Sequence, residues 1–508
     1  MTYGRPGVYV TERLLPAPIA ASNNVSAAGA CVAKLAQGPT TVTRVTSWYQ
    51  FTQLFGGYDA AFPATFGIGA FFKAGGTELY VRRVVHADAT AATVTVPDAS
   101  SGNCVVVSAK NVGAAGNKLR VQFTAGVDAT HYNLTVYLEG GAATDYSGNP
   151  TIALADDLVV ETFPNVVFNN SASSDYVLTV VNGYSNYITL ATPTSGKTPA
   201  LNPLPLASGT DGTAPIASDY VGTNAAVLNE FNNVNRSLVF FAPEIITDLG
   251  ATNGAVVHDA IISWCATNDG FAVIDTDNGL SVSDALAYAT SRGSYSNAAV
   301  YYPNVYIVDP VGRNSTSLRL IGPAGPVAGL YLNTDNIYGP FKSPAGLTAN
   351  IGSAVALERQ FSNTDLDTLN SAAKPINAVR DIPGAGVVVM GARTLKQDGT
   401  ANRYVSMRRS LLYIKRQLTD TTQFALFQNN DENLWSQIRT AISTFLTQYS
   451  NQGGLAGQTP AQAFYVRCDS SNNTAATIAN GEVHIEVGVA LEYPAEFVVI
   501  TLSQKTAA

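Results

Sequence analysis

From His484 to Tyr493 the chain alternates with a period of two: Ile485, Val487, Val489, Leu491 and Tyr493 fall on one side, His484, Glu486 and Glu492 on the other. That pattern predicts a strand with one buried face. Pro494 has no N–H to donate and ends it. A further strand is predicted from Phe497 to Ser503, carried by Phe497, Val498, Val499, Ile500 and Thr501. Near the other end, Val8, Tyr9, Val10 and Thr11 read as a short strand with no hairpin partner beside them. Terminal strands fray unless an edge holds them, and that edge can belong to another molecule.

Between these ends the periods change. After a Pro/Ala/Ser/Asn linker at 13–24, strands are predicted at Val25–Leu35 and Glu78–Val85. Helices fall between them at Trp48–Phe55, capped by Ser47, and at Phe66–Ala74, stopped by Gly75-Gly76. Residues 87–212 shift to Thr, Ser, Ala, Asn, Asp and Gly, with short runs at Cys104–Ser108, Leu119–Thr124, Tyr132–Leu138, Val177–Val181 and Tyr187–Leu190. This predicts an inserted, mostly β domain. The αβ pattern then resumes. Ser237–Ala242, Phe271–Ile274 and Val305–Val308 read as buried parallel strands, with helices near Ala255–Thr267 and Ser283–Ser291. The stretch from Gly322 to Pro344 reads as turn-rich, with Asp335 in its middle. Further on come a strand at Gly386–Met390 and a helix at Arg403–Leu418. A second helix runs to Tyr449 with the stripe Leu434, Ile438, Ile442, Phe445 and Tyr449, and a strand follows at Phe464–Cys468.

The expected fold class is therefore α/β and α+β, multidomain. An N-terminal arm and linker occupy 1–24, an αβ core 25–86 plus 213–368, an inserted β domain 87–212, a C-terminal α+β domain 369–493, and a C-terminal arm 494–508.

Composition narrows the function. Charged residues make up 13% of the 508 and hydrophobic ones 46%, whereas about 25% charged is usual. So little charge suits a protein packed against other proteins. The net charge of −8 argues against a general nucleic-acid binder. No run of roughly 18 apolar residues predicts a membrane span, and the first residues lack the basic-then-apolar pattern of an export signal. Cys31, Cys104, Cys265 and Cys468 form no CxxC pair and are expected to be reduced, buried thiols.

Candidate chemistry is sparse. Asp275 and Asp277 follow an apolar strand as a DxD pair that could hold Mg²⁺, as in haloacid-dehalogenase phosphatases. Asp is also a common turn former after a strand. The Gly384-Ala-Gly386 repeat precedes a strand and so fails the context of a dinucleotide site. The four histidines show no zinc spacing. On the helix at 403–418, Arg403, Arg408, Arg409, Lys415 and Arg416 lie mainly off the apolar stripe. They are either a solvated face or a contact strip for an acidic protein surface.

Several segments, in order, resemble the contractile tail-sheath family of bacteriophage tails and related injection machines. Gly4-Arg-Pro-Gly-Val-Tyr-Val-Thr-Glu12 looks like its N-terminal strand, and Val45-Thr-Ser-Trp48 with Phe51 and Phe55-Gly56 like its next segment. Phe71-Phe72, Gly75-Gly76 and Tyr80-Val81 follow, then Tyr301-Tyr302-Pro303, Pro326-Val-Ala-Gly329 and Asp335. Gly391-Ala-Arg-Thr-Leu395 with Arg408-Arg409, and Pro494-Ala-Glu-Phe497, complete the series. The resemblance implies a structural subunit, not an enzyme and without a cofactor. Its terminal arms would complete a small sheet in neighbouring copies, forming a helical sleeve that contracts about an inner tube, with the inserted β domain 87–212 facing outward. The implied partners are further copies, the inner tail tube protein, and baseplate and tail terminator proteins, with no direct contact to nucleic acid or membrane. The implied location is the tail of a virion assembled in the bacterial host cytoplasm. The alternatives are a Mg²⁺-dependent phosphatase at Asp275 and Asp277, and a passive shell or surface-layer protein.

Overall fold

The computed structural model describes residues 27–98, 102–139, 157–312 and 317–496. The strands expected at Val8–Thr11 and Phe497–Thr501 lie outside these. The chain divides into two compact units. Among the described residues, one comprises Ala28–Asn333 with Pro344–Asp398 and the other holds Thr334–Ser343 and 399–496.

The larger unit is built on a sheet of eight strands among the described residues. They are β1 (Ala28–Lys34), β2 (Thr43–Val45), β3 (Leu79–Val84), β4 (Leu238–Phe241), β5 (Phe271–Ile274), β6 (Ala298–Tyr302), β7 (Asn377–Ile382) and β8 (Gly386–Val389), in the spatial order β8-β7-β6-β5-β4-β1-β3-β2. The six from β3 through β7 are parallel, and β2 and β8 are antiparallel at the edges. The order reverses at β1, as in doubly wound α/β sheets. The central strands are apolar on both faces because both are covered. On one face Ala30, Phe240 and Val300 pack with Val257, Ile261 and Trp264 of helix α3 (Ile245–Thr267) and Ala285 of helix α4 (Val282–Thr290). On the other, Phe241 stacks on Phe71 of helix α2 (Ala64–Lys73) at 5.5 Å, preceded by helix α1 (Trp48–Phe55). Ser47 caps α1 through the amide of Gln50, 3.1 Å away.

Three expectations need correcting. The segment around Asp335 is not turn-rich: Ala324–Ile337 is a helix, α5. Its glycines mark close packing, because a Cβ on Gly325 or Gly329 would overlap the backbone carbonyl oxygens of Gly67 and Phe71 on α2. Val305–Val308 is not in the parallel sheet. It pairs antiparallel with Leu318–Ile321 and Ala354–Leu357 in a separate three-stranded sheet. The parallel position belongs to the fully buried Ala298–Tyr302, whose two leading alanines weaken the strand signal. Val177–Val181 opens a helix, Val177–Tyr184, rather than a strand. Its fully buried residues, Val177 and Val181, are four apart, so packing overrides the β propensity of a Val-rich run.

Between β3 and β4 the chain forms two further sheets, one of Thr93–Pro97, Asn103–Ala109 and Ile188–Leu190, the other of Leu119–Ala125, His131–Leu138, Leu158–Val167 and Leu204–Pro205. They share a core around Val107, Phe123, Val136 and Val166, apart from that of the large sheet. Arg83 on β3 joins the two regions. Its guanidinium is fully buried and donates to the carbonyls of Leu35 (2.9 Å), Ala36 (3.1 Å), Gly38 (3.2 Å) and Val112 (2.6 Å). Burial lowers its pKa to about 10 against the pull of Asp211. The four cysteines are free and buried, as expected. Among the described residues no helix is long and apolar enough to cross a membrane.

Candidate functional site

The smaller unit is a helical hairpin carrying a short sheet. Helix α6 (Val405–Thr422) begins two residues later than expected and runs four further, and α7 (Glu432–Asn451) is capped by Asp431, which takes the Leu434 amide at 2.9 Å. The expected α7 stripe is buried in full, against Tyr404, Met407 and Ile414.

Strand β9 (Phe464–Arg467) pairs antiparallel with β10 (Glu486–Val489) in the register Phe464–Val489, Tyr465–Gly488, Val466–Val487 and Arg467–Glu486. Phe464, Val466, Val487 and Val489 turn toward the hairpin core but stay half-buried. Tyr465 and Arg467 face outward and converge on Glu486, Tyr465 donating to it at 2.9 Å. The strand predicted at 484–493 thus finds a partner in its own chain, and only four residues keep ladder geometry. Beyond them Leu491 bridges Leu455, while Tyr493 is 63% exposed, its ring edge on Tyr404 at 6.3 Å. Beyond that bridge, no strand among the described residues pairs with the outer edge of β9 or β10. A two-stranded sheet is marginal by itself, and its outward N–H and C=O groups are a template for added strands.

The five basic residues do not form one strip. Arg409 is 5% exposed, and both guanidinium nitrogens grip the buried carboxylate of Asp335, Nη1 lying 2.8 Å from Oδ1. Burial raises the pKa of Asp335, and the Arg409 charge opposes that rise. One step along a helix turns the side chain by about 100°, so Arg408 and Arg409 cannot share a direction. Arg403 lies over the ring of Tyr404 at 4.7 Å, and Arg416 pairs with Asp420 at 3.2 Å. Arg408 is partly exposed and Lys415 exposed; seven positions apart, they share a face of α6. The Asp335 pairing was not foreseen. Its signal was an Arg-Arg doublet on an amphipathic helix, one member of which must turn inward.

Asp275 and Asp277 do not make a reactive pair. Asp275 is 3% exposed, accepts the Ala324 amide, and has Oδ1 3.7 Å from His258 Nε2. Asp277 spends Oδ1 on the amide of Asn278 at 2.7 Å. A phosphatase nucleophile must reach its substrate, and Asp275 is sealed from solvent. Among the described residues no group of three or more His, Cys, Asp or Glu is placed to hold a metal ion.

Comparison with known proteins meets this geometry. Residues 397–505 match the family described as phage tail sheath C-terminal domain, which spans the helical hairpin and the short sheet. A tail sheath protein of Vibrio phage KVP40 is 30% identical over 214 residues, 41% of this chain and 29% of that protein. That of Enterobacteria phage T4 is 25% identical over 225 residues, 44% and 30% of the two chains. The matched stretch spans less than a third of these relatives. The fold is shared over nearly the whole chain with the helical sheath of the anti-feeding prophage in its contracted state (TM-score 0.60, 21% identity, 99% and 100% of the two chains). It is shared too with a sheath tail protein of Listeria innocua (TM-score 0.63, 16% identity, 92% and 96%). The resemblance read from the motifs and the mixed, multidomain fold both stand.

Proposed function

We propose that the chain is the structural subunit of a contractile sheath, polymerising helically around an inner tube and contracting to drive that tube through a cell envelope. The observation that carries this reading is the open two-stranded sheet of β9 and β10, inside the very region that matches the sheath domain. The segments at Val8–Thr11 and Phe497–Thr501, from neighbouring copies, are the strands that extend it. Each backbone hydrogen bond so formed adds roughly 0.5–1.5 kcal/mol, and repetition along a sleeve makes a mesh that shears without separating. Contraction repacks rigid domains about linkers, of which 13–24 is one. The reading is non-enzymatic, and the burial of Asp275 at 3% exposure supports it.

Of the five basic residues, Arg408 and Lys415, which share a face of α6, are the tube contact; Arg403 lies over Tyr404, Arg416 pairs with Asp420, and Arg409 is excluded because Asp335 occupies it. Baseplate and tail terminator proteins are the partners at the two ends, and the tail of a virion assembled in the host cytoplasm is the location. The test is negative-stain electron microscopy of the full chain with and without its tube protein. Striated sleeves in two lengths and diameters support the proposal. A single lattice with no shorter, wider state favours a passive shell, and discrete particles at every concentration sink assembly altogether. Deleting 497–508 is expected to abolish sleeves while leaving the unfolding of the chain unchanged.

A further inference from the structure

Three segments of the larger unit meet at the carboxyl ends of β4 and β5, and each brings a polar group that the proposed function does not use. Glu244 precedes α3 in the left-handed region, at φ 56°, a conformation non-glycine residues adopt at a cost. It is 8% exposed; Oε1 accepts the Gly322 amide at 2.7 Å and Oε2 the Thr247 hydroxyl at 3.3 Å. Asp275 follows β5 and accepts the amide of Ala324, the first residue of α5. Its Oδ2 lies against Gly322, where any Cβ would overlap it, and has no hydrogen-bond partner among the described residues. Both carboxyl groups therefore converge on the two-residue entry to α5. Among the described residues no Lys or Arg acts on either carboxyl, and the basic group beside Asp275 is His258, 3.7 Å away. His258 is fully buried with Nδ1 at 2.6 Å from the Tyr288 hydroxyl, and its Nε2, which faces Asp275, has no hydrogen-bond partner among the described residues.

We infer that Glu244 and Asp275 form a proton-held latch on the first turn of α5, closed while the pair carries protons and loosened when both carboxyls ionise. Two buried carboxylates converging on one glycine, with no cation between them, cannot both be charged without repulsion. Burial, and next the neighbouring Asp275, raise Glu244 to about 8; burial raises Asp275 to about 7 and Asp248 to about 6. The Gly322 amide and Thr247 hydroxyl on Glu244 and the Ala324 amide on Asp275 favour the ionised forms, but burial outweighs them, and the other facing groups do not reverse this. His258 is held neutral, its pKa lowered to about 3 by burial and then by Arg292. Arg292 lies with Asp259 and over the ring of Tyr288. Lys34 acts on Asp248, and Asp277 adds a further negative charge near Tyr288.

The sign follows from linkage. Folded pKa values raised above the ordinary carboxylate range mean that the folded chain holds more protons than the unfolded one. Stability from this source is present below about pH 4 and is lost as pH rises through about 7 and 8. Each proton held changes the unfolding equilibrium by about tenfold per pH unit within that window.

The test compares the full chain with Glu244→Gln, Asp275→Asn and the double variant by chemical denaturation from pH 4.5 to 9. The unfolding constant of the wild type relative to Glu244→Gln should climb up to about tenfold per pH unit and level off above pH 8. Hydrogen exchange at the Gly322 and Ala324 amides should accelerate by more than the about tenfold per unit of base catalysis alone, and lose that excess in the variants. Parallel profiles for wild type and variants would overturn the latch, as would amides that follow base catalysis alone. If the double variant does not fold, either single substitution gives the same readout. Because sleeves are not needed, failure here leaves the sheath proposal untouched, and the reverse holds as well.

Discussion

The two sheets central to this chain solve opposite problems. The eight-stranded sheet is covered on both faces and ends in short antiparallel strands, so its parallel ladders are hidden. Two of its buried polar side chains are heavily engaged: Arg83 by four carbonyls, and Asn377 Nδ2 by the carbonyls of Val300 and Arg393. The sheet of β9 and β10 has two strands, half-buried side chains on its inner face and open edges. It borrows its stability from the helices α6 and α7 beneath it. The difference teaches where folding and assembly are separately encoded. The sealed sheet sets whether the chain folds, and the open one leaves hydrogen-bonding capacity for other strands.

The largest expected effect tests whether the smaller unit is held by its interior rather than its sheet. Asp335→Ala strands the Arg409 guanidinium in a buried site and should cost about 3–5 kcal/mol. The double change Asp335→Leu with Arg409→Met removes both charges and should recover most of that loss. Denaturation followed by the fluorescence of Trp435, buried on α7, reads the unit once Trp48 and Trp264 of the larger unit are replaced by Phe. Equal losses in the single and double variants would mean the pair is not what holds this segment to α6.

Arg83→Met is next. It removes the donor from four carbonyls at the junction of the large sheet and the inserted sheets. A cost of about 3 kcal/mol is expected, since buried acceptors left unmade cost about 1–3 kcal/mol each and do not add fully. The loss should appear as separate melting of the insertion, seen by limited proteolysis within 87–212 before the core is cut. Cleavage that starts in the core instead would show that Arg83 braces the sheet and not the junction.

These two residues also show what can be read from sequence. Strands and helices with strong periods were legible: α1, β5 and the α7 stripe fall where the pattern puts them, because burial on one face writes a period into the chain. Close approach was not legible. Gly325 and Gly329 read as turn formers, yet they are the positions where α5 touches the α2 backbone. Nothing in a one-dimensional pattern distinguishes a glycine that bends from one that makes room. Arg83 lay in an apolar strand with no hint of its partners, which come from 45–48 residues earlier and 29 later. The basic helix was half legible. The pattern separated polar from apolar positions but could not tell which arginine a distant aspartate would claim.

The smallest expected effect sharpens the contrast most. Arg467 and Glu486 pair across β9 and β10 with about half of each side chain exposed, and Tyr465 donates to the same carboxylate. Exposed pairs add little to folding, so Glu486→Gln should leave the melting temperature of the isolated chain unchanged. The same three side chains line the outward face of the only sheet in the smaller unit with open edges among the described residues. An added strand would bury part of that face, desolvate the carboxylate and make its pairing matter. Glu486→Gln should therefore raise the protein concentration at which sleeves first appear, with no loss of folded subunits. A lower melting temperature with normal sleeve formation would reverse the argument, placing this sheet with the elements that fold the chain rather than those that join copies of it.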